Sequence, residues 1–328
     1  MTERDNLPRW NSRAGGHEGW YVTVGDAASG EGFWVRMALS GPGRAEPSAE
    51  VIAARFHPSD PHRTFGVRSI HPSPDFTLGG PDRYFQAGES EIGPGFVRGA
   101  ASGGGRTLEW DLSLSTGEPT YTLLPDAAAR GPLGATAAVV ANVDTVVTGR
   151  VVADGEARDI EAGRGQQGHV FGRRHAERWA WAHCRGFQDA DAIVEAVTGQ
   201  VRRGPFLTPF LTSIGVRWEG RWIRLLRVAG PRDFSMGRWL IDVTDHRYRL
   251  TGRIEAPSYA LVQARLEGPD GVPRYCHHTD VGSCRLALFE RRPGGFDQIA
   301  MLEAKGSVQA EWVGRTPSSA VDRLAVGS

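Results

Sequence analysis

A chain of 328 residues is long enough for one large domain or two of ordinary size, and its 38 basic and 38 acidic residues cancel. With a formal net charge of +0 there is no overall field to draw nucleic acid or an anionic membrane, and three cysteines are too few for a disulfide scaffold. The polar start, MTERDNLPRWNSRAGG, lacks a secretory signal, and no apolar run approaches the roughly 20 residues of a spanning helix. A cytoplasmic protein with no integral membrane segment is expected.

Taken in chain order, the ordered signal has period two. In GFWVRMALS, Phe33, Val35, Met37 and Leu39 alternate with Trp34, Arg36 and Ala38. In TLEWDLSLS, Leu108, Trp110, Leu112 and Leu114 oppose Glu109, Asp111 and Ser113, and SYALVQARLEG, SCRLALFERR and GSVQAEWVGR alternate likewise. Turn signals stand between them: SGEG at 29–32, SGGG at 102–105, ADGE at 153–156, GPDG at 268–271 and RPGG at 292–295. FHPSDPHRTFGVRSIHPSPDF is read as a long loop, LPDAAARGPLGATAA as a linker, and the tail after Arg315 as frayed. DADAIVEAVTGQVRR is the one helical stretch, with Asp189 or Asp191 as cap and Ile193, Val194 and Val197 as its apolar face. One short helix among many strands predicts an all-β protein of closed or nearly closed antiparallel barrels.

Spacing narrows the candidate chemistry. YCHHTDVGSC offers Cys276, His277, His278 and Cys284, and GHVFGRRHAERWAWAHCRGF offers His169, His175, His183 and Cys184. Neither contains a paired zinc-ligand spacing, and adjacent His277 and His278 on a strand point to opposite faces, so no metal is expected. GRRHAERW joins positive charge to an aromatic, but Glu177 interrupts it and the neutral total argues against a nucleic-acid partner. No G-x-S-x-G elbow is present, and GGGR and GRGQQG are turn glycines rather than phosphate loops. What remains is a set of ten tryptophans with interleaved ionisable groups, among them Glu18, Arg36, His183 and Glu311. Such an inventory suits a barrel mouth that takes a lipophilic ligand, although packing is the plainer use of any one tryptophan. Trp179, Trp181 and His183 fall on one face of a strand, with Ala180, Ala182 and Cys184 on the other.

GHEGWYVTVGDAASGEGFWVRMAL resembles the N-terminal motif of the two-barrel, lipocalin-like family of carotenoid 1,2-hydratases, tocopherol-cyclase-like proteins and lipocalin-type Diels-Alderases. His17, Glu18, Trp20, Tyr21, Gly32 and Phe33 hold the matching places. His169, Gly172, Trp179 and Trp181 match the junction segment; WAWAHCRGF is similar to the tocopherol-cyclase-like branch, and GSVQAEWVGR, with Glu311, to its closing strand. Gly19 stands where the motif has a first Trp, Arg185 where that branch has Asn, and Asp242, Asp245 and Asp280 are equal candidates for the hydratase aspartate.

The resemblance touches most of residues 15–315. It implies two lipocalin-like antiparallel β-barrels, residues 1–175 and 176–328, and no cofactor. It also implies a cyclase or hydratase that folds a hydrophobic polyene, isoprenoid or polyketide in an aromatic pocket. Glu18 is then the first candidate acid and His183 a second proton carrier. His17, Trp20, Tyr21, Trp34, Arg36, His169, Trp179, Trp181 and Glu311 would shape the substrate site. A carboxyl group in an apolar barrel is kept protonated by desolvation, and aromatic faces stabilise positive charge on carbon. The rival expectations are a non-enzymatic carrier of a lipophilic molecule and a scaffold with filled barrels.

Overall fold

Alternation of apolar and polar side chains is realised as long antiparallel strands. The structure is a computed structural model that describes residues 3–10, 15–41, 46–117, 119–124, 136–229, 233–321 and 324–326. Packing divides the chain into two compact units: Met1–His175 with Arg265–Pro273 and Asp322–Ser328, and Ala176–Ala264 with Arg274–Val321.

In the first unit the main strands are β1 (Gly16–Asp26), β2 (Glu31–Gly41), β3 (Ser48–Phe56), β4 (Phe65–Pro72), β5 (Phe96–Gly103), β6 (Arg106–Leu114), β7 (Thr136–Ala153) and β8 (Glu156–Gly172). They pair in the order β4-β3-β2-β1-β8-β7-β6-β5, and three short strands between residues 76 and 93 extend the sheet beyond β5. The sheet curls until β4 meets β5, and the short strand Ala325–Val326 lies parallel to β4 near this seam. One face carries the apolar core, including Trp20, Val22, Val24, Phe33, Val35, Met37, Phe85, Trp110 and Leu112. The ADGE signal is a two-residue hairpin between Ala153 and Glu156, with φ of 51° at Asp154 and 80° at Gly155. Positive φ at both central residues matches the turn's twist to that of the strands.

The second unit contains β9 (Arg178–Cys184), β10 (Ala192–Gln200), β11 (Leu211–Trp218), β12 (Arg221–Val228), β13 (Arg238–Thr244), β14 (Tyr248–Glu255), β15 (Arg274–Arg292) and β16 (Gly295–Gly314). Their order is β12-β11-β10-β9-β16-β15-β14-β13, and the sheet curls until β12 approaches β13. Its core face holds Ala180, Ala182, Cys184, Val194, Ala196, Ile214, Trp239, Leu250, Leu286 and Trp312. Each unit is thus a nearly closed antiparallel barrel with an apolar filling.

Three expectations are corrected. Helical backbone among the described residues is confined to 3-10 turns at Glu3–Asn6, Pro61–Arg63 and Ser258–Ala260, so the expected short helix is absent there. Its residues form β10 instead, paired with both β9 and β11. Val194 and Ala196 enter the core at a spacing of two, and β-branched Ile193, Val194 and Val197 suit a pleated surface better than a helix. The predicted loop at 56–76 contains β4, because FGVRSI pairs along β3. The tail is not frayed throughout: Val321 and Leu324 are buried. Most of the predicted linker, residues 125–135, lies outside the described residues.

Candidate active site

The sequence-derived candidates fall into three groups, two in the first unit and one in the second. The first lies on the core face of β1 and β8, where Trp20 and His169 are paired neighbours. Their rings stack at 4.7 Å with an interplanar angle of 5°. Glu18, 1% exposed, has both oxygens engaged. Oε1 accepts from the Arg9 amide at 2.7 Å and lies 2.7 Å from His169 Nε2, while Oε2 accepts from the Trp10 amide at 2.6 Å. His169 Nδ1 lies 2.8 Å from the Asp5 carbonyl, and the Trp20 indole donates to the Asn6 carbonyl at 2.8 Å. This constellation ties the segment from Asp5 to Trp10 to the barrel.

The second group lies on the opposite face of the same sheet, on β1 and β2 and their neighbours. Tyr21 packs on Gly168, where a Cβ would stand 2.2 Å from the phenol ring, and Trp34 is 2% exposed beside Thr23. His17 and His175 face one another with ring centroids 4.0 Å apart. Arg36 is ion-paired to Glu50, which also binds Arg68 at 2.7 Å. His17, Arg36, Glu50, Arg68, His175, Arg265 and Glu267 line a cleft of about 170 Å³. Ala38, Leu39, Ala49 and Ile70 complete its wall, which mixes charged and apolar groups.

In the second unit Trp179, Trp181 and His183 leave β9 on the face away from the apolar core. His183 is fully buried and its Nδ1 lies 2.5 Å from Oε1 of Glu195, also fully buried, directly across the β9–β10 ladder. His183 Nε2 is buried and has no hydrogen-bond partner among the described residues. Further along this face, Glu311 sits opposite both Trp181 and His278. The Trp179 indole donates to Glu311 Oε1 at 2.6 Å, and the Cys276 thiol lies 3.4 Å from Glu311 Oε2. His278 Nε2 lies 2.8 Å from Asp280 Oδ1, and its ring is stacked with Trp181 at 6.3 Å. Burial opposes the charged form of His278, but the carboxylates of Asp280 and Glu311 outweigh it and raise its pKa to about 9. Burial also works against the Glu311 carboxylate, yet hydrogen bonds from His278, Trp179 and Cys276 hold its pKa below the usual value. His277, on the other face, is pushed down by burial and bonds Gln263 at 2.9 Å.

Of the three aspartates weighed, only Asp280 joins this cluster. Asp242 pairs with Arg249 at 3.1 Å, and Asp245 caps the turn at Arg247 and Tyr248. Sequence reasoning missed Glu195 because it read that segment as a helix; on a strand, Glu195 must face the neighbour of Ala196's opposite side, which is where His183 stands. It also overlooked that Cys276, His278 and Asp280, spaced by two, share one face.

Fold and site together define a two-unit, all-β protein of lipocalin-like barrels, with buried imidazole–carboxylate groups on the second. A family model described as tocopherol cyclase-like matches residues 137–314, more than half of the chain, and the chain belongs to that family. An uncharacterized protein of Mycobacterium tuberculosis is 26% identical over 287 residues, spanning 86% of this chain and 84% of the relative. The chloroplastic tocopherol cyclase of Zea mays is 24% identical over 180 residues, 52% of this chain but 37% of that enzyme. Two solved structures share the fold. A protein assigned as AttH from Nitrosomonas europaea gives a TM-score of 0.53 at 12% identity, covering 92% of this chain and 93% of its own. Kievitone hydratase from Nectria haematococca gives 0.50 at 11% identity, covering 95% and 91%. Family membership supports a cyclase-type function. Among the described residues no helix is long and apolar enough to cross a membrane.

Proposed function

We propose that the protein is a cyclase or hydratase that protonates a hydrophobic polyene, with His183 as the proton carrier and Glu195 as the group that orients it. One observation carries this reading: a fully buried imidazole anchored at Nδ1 by a buried carboxylate, with Nε2 unpartnered among the described residues. A carboxylate on Nδ1 fixes the tautomer, so Nε2 is the atom that takes or gives a proton. Trp181, two residues before His183 on the same face, presents an indole that would stabilise a carbocation.

The step balances without an external reagent. The step starts from the imidazolium, with Nδ1–H held by Glu195: its Nε2 proton adds to an alkene carbon through the π pair, leaving a neutral imidazole and the cation on the more substituted neighbour. An oxygen of water or of the substrate's own hydroxyl closes the C–O bond and returns its proton to Nε2. Hydration adds one water; cyclisation gives an isomer. Glu18, whose two oxygens already hold two amides and His169, is assigned a holding role in this reading.

The test is incubation in deuterium oxide with polyenes bearing a free hydroxyl, read by mass spectrometry for one deuterium fixed on carbon. His183→Gln is expected to lower labelling by ~100-fold or more and Glu195→Gln by a smaller factor, both with native circular dichroism. Substrate bound but recovered unlabelled by the unsubstituted protein would instead favour a carrier. Full turnover by His183→Gln would remove this histidine from the chemistry.

A further inference from the structure

One cluster on the second unit is used neither by the apolar core nor by the His183–Glu195 pair. We propose that Cys276, His278 and Glu311 form a three-ligand site for a divalent ion of the zinc type, with the fourth position left to water or an oxygen ligand. Cys276 and His278 are two residues apart on β15, so both leave the same face, and Glu311 stands opposite His278 on β16. Their donor atoms all lie within 4.8 Å of one another. Glu311 Oε2 is 3.4 Å from Cys276 Sγ and 3.7 Å from His278 Nδ1. A tetrahedral zinc ion bonded at ~2.3 Å to sulfur and ~2.0–2.1 Å to nitrogen and oxygen sets its donors about 3.3–3.6 Å apart. The two separations that involve Glu311 are therefore already close to those required, and Cys276 and His278, within 4.8 Å of each other, need only a side-chain adjustment to close on an ion.

The groups behind the donors are arranged as metal ligands need. Asp280 Oδ1 lies 2.8 Å from His278 Nε2, which turns Nδ1 toward the shared space. The Trp179 indole holds Glu311 Oε1 at 2.6 Å and leaves Oε2 to face the other donors. An irregularity in the β15–β16 ladder between Thr279 and Gly282 flanks Asp280, the sort of bulge that re-aims a side chain. Cys276 and His278 are each 1% exposed, while the Glu311 side chain keeps 20% of its surface. One thiol, one imidazole and one carboxylate favour zinc over the hard cations magnesium and calcium. On binding, the thiol releases its proton, as does any proton on Nδ1, and thiolate and carboxylate together balance the ion's charge.

The full chain, stripped with a chelator and titrated with zinc or cobalt, tests this independently of turnover. The expected result is one zinc ion retained per chain and, with cobalt, a thiolate-to-metal charge-transfer band. Cys276→Ser should lose the band, Cys284→Ser should keep it, and Asp280→Asn should weaken zinc affinity by ~10–100-fold. Should Cys276→Ser not fold, Glu311→Gln, at a partly exposed position, supplies the same comparison. A folded unsubstituted protein that retains no zinc and shows no cobalt–thiolate band overturns the proposal, as would wild-type affinity in either ligand variant. Neither result bears on His183, which is not among the ligands.

Discussion

Glu177 offers a sharp test of how the second unit is held together, and Glu177→Gln is the perturbation. Its side chain is 8% exposed and meets three guanidinium groups. Arg315 Nε lies 2.6 Å from Oε1, Arg202 Nη2 lies 3.0 Å from the same oxygen, and Arg274 Nη2 lies 3.6 Å from Oε2. Arg202 and Arg315 keep 40% and 43% of their surface, so water screens them and each contributes ~0–1 kcal/mol. Arg274 is different, at 2% exposure, with its Nε donating to the Ala176 carbonyl at 3.2 Å. Removing the carboxylate takes an ion-pair partner from that buried guanidinium; breaking a buried pair outright costs ~3–5 kcal/mol. Because the Arg274 contact is longer than a hydrogen bond, about 2–4 kcal/mol is expected for the whole substitution. Urea unfolding followed by tryptophan fluorescence at pH 7 measures it. The pH dependence supplies a second check. Burial works against the Glu177 carboxylate, but hydrogen bonds from Arg202 and Arg315 prevail and lower its pKa. A lowered folded-state pKa gives stability that is complete above the unfolded carboxylate value of ~4.3 and is lost as pH falls through the folded value. The gap between wild type and Glu177→Gln should be flat from neutrality to about pH 5.5 and shrink below ~4.3. A gap under ~0.5 kcal/mol at pH 7, or one undiminished in acid, would refute the argument.

Two further predictions concern the first unit. Glu18→Ala removes the acceptor of two backbone amides and a His169 contact, so ~2–4 kcal/mol of stability should be lost and proteolysis between Asp5 and Trp10 should accelerate. Unchanged cleavage there would show that Glu18 does not hold this segment. Gly165→Ala would place a Cβ 1.7 Å from the Thr23 carbonyl oxygen, a backbone atom that cannot retreat without breaking the β1–β8 ladder. A loss of ~3 kcal/mol is expected, whereas Gly25→Ala, whose nearest atom is 3.7 Å away, should leave the melting temperature almost unchanged. Equal melting temperatures for the two variants would contradict the close approach.

What could be read in the amino-acid sequence followed from its period. Alternation in GFWVRMALS and TLEWDLSLS encodes which face of a strand is buried, and the core does contain Phe33, Val35, Met37, Leu108, Trp110 and Leu112. ADGE specifies its turn locally through φ at two residues, so no distant contact is needed to predict it. DADAIVEAVTGQVRR failed because its apolar residues satisfy both periods, and only pairing with β9 and β11 decides between them. The outcome bears on the proposed function, since the strand sets Glu195 against His183 and a helix would not.

The site shows the same division between local and non-local information. That Cys276, His278 and Asp280 share a face could be derived from their spacing alone, and the adjacent His277 drew attention to the wrong pair. That Glu311 completes the group depends on the register of β15 against β16, a pairing of residues 33 apart that no local pattern records (His278 with Glu311). Glu18 illustrates the converse. Its place in a family-like motif made it the first candidate acid in the sequence, yet an acid able to give up a proton needs an oxygen not already committed to two amides and an imidazole. In the proposed reading His183 meets that requirement at Nε2, with Nδ1 held by Glu195 directly across the β9–β10 ladder, which is why the proposal places the proton on the second barrel and not on the first.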